Sequence, residues 1–147
     1  MNQNKSNNRN MKIRDCGCQP FIADIEDLAT RNSNYRTALW TGEHLQVTLM
    51  CIPVGGDIGL EMHDDVDQFI RIEDGCALIQ MGKCKDNVDY QQKVNSNFAI
   101  LVPARTWHNI VNVGNVPLKL YSVYAPPKHP FGTVHRTKGE AQCAERH

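Results

Sequence analysis

The sequence predicts an all-β fold in a single domain, a sandwich or a barrel. Short apolar runs recur at regular spacing from Tyr35 onward, turn residues separate most of them, and 147 residues suffice for one modest core. Arg36–Trp40 and Leu45–Ile52 flank Thr41-Gly42-Glu43 and read as a hairpin. Further strands are expected at Ile58–His63, Gln68–Glu73, Cys76–Met81, Phe98–Val102, His108–Val113 and Leu118–Tyr124. The breaks fall at Pro53–Asp57, Asp74-Gly75, Gly82, Pro103 and Gly114-Asn115.

The flanks differ in composition. Residues 1–14 are rich in Asn and basic side chains and poor in hydrophobes, which predicts a flexible N-terminal arm. The domain is expected over 15–147, with its core at about 35–126. Phe21–Thr30, with Ile22, Ile25, Leu28 and Ala29, reads as a short helix or a covering segment. Pro126, Pro127, Pro130 and Gly132 predict an extended tail rather than another regular strand.

Formal net charge is zero and the sequence pI is near 7.0. No basic surplus points to nucleic acid or to an anionic membrane, and a small-molecule ligand is the expected partner. No apolar stretch reaches the roughly 18 residues of a membrane span. No apolar segment follows the basic residues of the arm, so no export signal is expected and the cytoplasm is the expected compartment. The six cysteines are then expected as free thiols. Cys16-Gly17-Cys18 is half of a zinc site at most, and two incidental thiols are the simpler reading.

The chemistry concentrates in Gly59-Leu60-Glu61-Met62-His63. On a strand, Glu61 and His63 share a face, and Ile58, Leu60 and Met62 share the other. Gln68 opens the next strand, with Ile70 and Ile72 on its face. His108 opens another, with Ile110 and Asn112 on its face.

At these residues the chain resembles the cupin superfamily. The first cupin motif is Gly, five residues, His-x-His, three or four residues, Glu, six residues, Gly. Here Gly55 and Gly56 precede Glu61-Met62-His63, and Gln68 and Gly75 follow in place. The second motif is Gly, five residues, Pro-x-Gly, two residues, His, three residues, Asn. Asn97, Pro103, Arg105, His108 and Asn112 stand at those places. The resemblance covers residues 35–126 and implies a single cupin-type β-barrel, a double-stranded β-helix or jelly roll. It also implies one divalent metal ion (Zn, Fe, Mn or Ni) held by Glu61, His63, Gln68 and His108. Glu61 replaces the usual first histidine and Gln68 the usual glutamate, so the ligand set keeps one negative charge but moves it. Arg105 takes a glycine position, which implies a positive φ and a functional Arg at the barrel mouth if the turn is kept, but a relaxed turn is the favoured expectation.

Two histidines and one carboxylate form a facial triad suited to iron(II) and similar ions. The same residue types, with Gln, occur in the zinc site of phosphomannose isomerases, in a different order. Three functions therefore stand open. One is metal-assisted isomerisation or epimerisation of a small oxygenated substrate such as a sugar; the second is a dioxygenase reaction; the third is binding without turnover. No general base is evident. Gln46, Met50, Ile70, Ile110, Asn112 and Tyr124 are the expected pocket lining. Leu118, Leu120, Ser122 and Tyr124 are expected inside, Trp107 is expected away from the metal, and Asp64, Asp65 and Asp67 form a solvated turn. His129 and His135 are expected in surface or subunit contacts. A homodimer is expected, formed through the apolar face of Ile58, Leu60 and Met62.

Overall fold

The computed structural model describes residues 11–145. A helix, α1 (Ile25–Arg31), precedes nine strands. They are β1 (Arg36–Thr41), β2 (Gln46–Ile52), β3 (Asp67–Asp74), β4 (Ala77–Gly82), β5 (Tyr90–Val94), β6 (Ala99–Val102), β7 (Trp107–Asn112), β8 (Leu118–Ala125) and β9 (Val134–His135). A second helix, α2 (Lys138–Glu145), follows. Strands β6-β3-β8-β2-β1-β9 form one antiparallel sheet and β5-β4-β7 another, the two-sheet arrangement of a jelly roll. Among the described residues no helix is long and apolar enough to cross a membrane.

Alternation along each strand sorts the side chains into two layers. The inner core joins both sheets and includes Met50, Ile70, Ile72, Ile79, Ile110 and Leu120. Its polar edge runs across the large sheet, where Gln46 pairs with Tyr124 and Tyr124 with Gln68. The outer face of that sheet carries a smaller cluster of Leu28, Ala29, Leu39 and Leu49. Helix α1 supplies its cover. Asp24 caps the helix by accepting from the Asp27 N–H at 3.2 Å, and Leu28 and Ala29 turn onto the sheet.

Several expectations are corrected. The arm falls largely on residues 1–10, outside the described residues; of the remainder, Met11 and Ile13 pack against the outer cluster. The tail is not extended throughout, since Val134 pairs with Thr37 and α2 buries Ala141 in the inner core. Strand β5 has the sequence Tyr-Gln-Gln-Lys-Val with only Val94 buried, so it carries no hydrophobic alternation to detect.

The largest correction concerns 58–63, which is not a regular strand. It runs beside β7 with one residue too many: the Ile58 N–H donates to the Ile110 carbonyl, while Glu61 pairs with His108. Gly59, at φ 85°, absorbs the extra residue. A one-residue slip exchanges the faces. Ile58 therefore packs onto the inner core and no longer shares an outward face with Leu60 and Met62.

Candidate metal site

Three ligating atoms converge where the 58–63 segment crosses β7. The candidate atoms of Glu61, His63 and His108 all lie within 4.8 Å of one another. Glu61 Oε1 stands 3.4 Å from His63 Nε2 and 3.5 Å from His108 Nε2. The backbone sets this geometry. Glu61 and His108 exchange N–H to carbonyl bonds of 3.0 and 2.9 Å, and the Arg105 N–H donates to the His63 carbonyl at 2.7 Å.

The imidazoles are oriented for donation. His108 Nδ1 bonds the Thr106 carbonyl at 2.9 Å, which places the proton on Nδ1 and leaves the Nε2 lone pair free. His108 is 1% exposed, and both His108 Nε2 and His63 Nε2 are buried without a hydrogen-bond partner. Gln68 Oε1 is orphaned in the same way, while its Nε2 donates to Ser122 Oγ at 3.1 Å. Buried polar atoms without partners are rare, and two of them, His63 Nε2 and His108 Nε2, stand together beside the Glu61 carboxylate. Glu61, with its side chain 26% exposed, forms the rim. Burial opposes its ionisation, but the two adjacent imidazoles of His108 and His63 outweigh burial and hold the carboxyl well below the usual range.

The expected pocket residues divide. Tyr124 lies beside the site, its ring 6.1 Å from that of His63, and burial pushes its hydroxyl up to about 12. Met50, Ile70 and Ile110 belong to the inner core. Asn112 donates to the carbonyls of Ile52 and Val116 and accepts from the Gly114 N–H, so its amide is occupied by the backbone. Gln46 is likewise occupied. Its Oε1 accepts from the Lys128 and His129 N–H groups at 3.0 and 2.9 Å, and its Nε2 donates to the His129 carbonyl at 2.7 Å. That clamp straps the tail to β2 at residues 128–129.

The clamp also explains His129, which is partly buried. Its ring meets Tyr124 edge-on at 5.3 Å, and Nε2 is buried without a partner. Burial, then the charge of Arg36, lowers it to about 3, so it is neutral. Arg36 was missed as well; it is 3% exposed on the inner face of β1, and its NH1 bonds His135 Nδ1 at 3.2 Å. One Arg in a strand otherwise fit for a core was the only available sign. Cys16 and Cys18 are free thiols apart from this site, with the Cys16 N–H donating to the Leu39 carbonyl.

Fold and site together define a jelly roll with a histidine–carboxylate cluster inside one end. The cupin domain model matches residues 48–124, and the chain belongs to the cupin family. It is 56% identical to the protein YrkC of Bacillus subtilis over 137 residues, 93% of this chain and 74% of that one. Protein L612 of Acanthamoeba polyphaga mimivirus is 38% identical over 117 residues, 79% of this chain and 71% of its own. The crystal structure of BH2720 from Bacillus halodurans superposes with a TM-score of 0.88 at 58% identity, covering 89% of this chain and 99% of that one.

Proposed function

We propose that this cupin holds one divalent metal ion through Glu61, His63 and His108, with Gln68 as a weaker fourth donor. The observation behind this is the pair of buried imidazole nitrogens, both without partners and both within 3.5 Å of one carboxylate oxygen. Two neutral nitrogens and one anionic oxygen suit zinc, iron, manganese or nickel. When bound, the ion supplies a Lewis acid for an oxygen of the substrate.

The chain's own residues supply the rest. Thr106 fixes the His108 tautomer, Ser122 turns the Gln68 amide, and Gln46 ties the tail to β2 at residues 128–129. The protein is thus a metalloenzyme of the isomerase or epimerase kind, acting on a small oxygenated substrate. A dioxygenase is the second reading, favoured by the two-histidine, one-carboxylate set itself.

Calorimetric titration of metal-free protein with Zn²⁺, Fe²⁺, Mn²⁺ and Ni²⁺ tests the metal assignment. One equivalent of a divalent ion is expected, with loss of binding in acid, where protons compete with the metal for its ligands. Oxygen uptake by the iron form separates the two reactions, since isomerisation consumes none.

A further inference from the structure

Among the described residues Arg36 is a buried cation without an ion-pair partner. Its Nε is buried without a hydrogen-bond partner. Its contacts are the Tyr35 ring, 5.3 Å from Cζ, and His135 Nδ1, both neutral as hydrogen-bonded here. Among the described residues no carboxylate comes within 4.0 Å of its guanidinium, and Glu140 and Glu145 of α2 reach His135 only at longer range. A guanidinium taken out of water needs an anion or a full set of acceptors.

The position of Arg36 says where that anion sits. Arg36 pairs with Met50 on the inner face, and one step along the strands Thr48 pairs with Ser122. Ser122 holds Gln68, and Tyr124 touches both His63 and His129. The unsatisfied Nε2 of His129 lies on the same path. Tyr35, Tyr124 and His129 each feel the charges of both Arg36 and Glu61.

We propose that Arg36 binds the carboxylate of a small organic acid whose other oxygen reaches the metal at Glu61, His63 and His108. The second half of this rests on the metal assignment above; the first does not. A single guanidinium matches a carboxylate in charge and in its forked donor geometry. A phosphate dianion calls for more donors than one guanidinium supplies. His129 and Tyr124, both neutral, complete the lining without competing for the anion.

The test uses the full chain in metal-free and metal-loaded form, with malonate, malonamide and inorganic phosphate as probes in calorimetry. Malonate is expected to bind saturably to the metal-free protein, malonamide not at all, and Arg36→Gln to weaken malonate at least tenfold. Should that variant misfold, the Arg36 Nε–H resonance of the wild-type protein reports directly, moving with malonate and not with malonamide. Metal loading is expected to tighten malonate further. Equal binding of malonamide, preference for phosphate, an unchanged affinity in Arg36→Gln, or no malonate binding to either form overturns the assignment of Arg36. Arg36-dependent binding that ignores the metal overturns the bridging half. Arg36-dependent binding in a protein that takes up no metal refutes the metal site and leaves the anion site standing.

Discussion

Glu61 and His108 are joined twice through the backbone before their side chains meet. The N–H of each donates to the carbonyl of the other, at 3.0 and 2.9 Å, across the seam between the 58–63 segment and β7. The carboxylate and the imidazole therefore face one another because main-chain pairing puts them there. The site is thus formed by the fold ahead of any ligand, and changes to the seam are expected to disturb the site more than changes of equal size elsewhere.

Gln46 carries the strap. Gln46→Ala removes three hydrogen bonds to the 128–129 backbone and leaves two N–H groups unsatisfied. A loss of about 3 kcal/mol is expected, from roughly 1 kcal/mol for each bond. Limited proteolysis should then cut near residues 126–135 in the variant and spare the wild type. Equal protection in both proteins excludes the strap.

His129 predicts an acid-side loss of stability. Its value in the folded chain is about 3 against an ordinary 6.5, so between those limits the unfolded chain binds a proton that the folded chain refuses. Stability of the metal-free protein is present above pH 6.5 and falls as pH drops toward 3, by at most about 1.4 kcal/mol per pH unit from this group. Urea unfolding of His129→Phe should show a shallower slope than wild type between pH 6 and 4. Parallel slopes contradict the burial of a neutral His129.

Arg105 sits at φ 66°, in the left-handed region that glycine adopts without strain. Its side chain makes one long bond at the surface, from NH1 to the Asp64 carbonyl at 3.4 Å. Arg105→Gly should therefore raise stability by about 1 kcal/mol, the usual order of the left-handed penalty. Arg105→Val should lower it. Thermal melts of both variants check the sign, and a stabilised valine variant excludes strain at this turn.

Two chains per particle remain the expected assembly, though not through the face of Ile58, Leu60 and Met62. Strand β6 ends the six-stranded sheet and exposes Leu101 at 67%, next to Phe98 at 41%. Light scattering should give the mass of a dimer at tens of micromolar, and Leu101→Lys should halve it, since an edge lysine blocks strand addition. A wild-type monomer at that concentration refutes the dimer.

The ligand-bearing residues were legible because two spaced motifs placed them. Alternation put Glu61 beside His63, and the second motif supplied His108; at Arg105 the favoured expectation of a relaxed turn was wrong, since the residue keeps φ 66°. The inner positions of β8 followed from Lys119, since a lysine at that step leaves Leu118, Leu120, Ser122 and Tyr124 for the interior. Alternation failed at Gly59, because a bulge is a property of two strands and the sequence shows one at a time. It failed for β5, whose exposed edge carries no apolar period. Gln46 read as a pocket polar group because its partners in the 128–129 backbone are 82–83 residues away, and one of Asn112's three backbone partners, Ile52, is 60 residues away. His129 and Arg36 were hidden for a similar reason, since only the fold of the tail over β1 and β8 makes either of them interior.

Metal content in four single variants, measured on folded protein purified without a tag, tests the central claim most directly. His63→Ala and His108→Ala each remove a nitrogen donor and should abolish stoichiometric metal. Glu61→Gln removes the anionic oxygen and should lower affinity steeply, whereas Gln68→Ala should do less, because water replaces a neutral oxygen. Chelation should lower the melting temperature of the wild type, by mass action, and leave that of His108→Ala unmoved. Full metal retained in both Glu61→Gln and His108→Ala would contradict the account and leave the cupin resemblance one of fold alone.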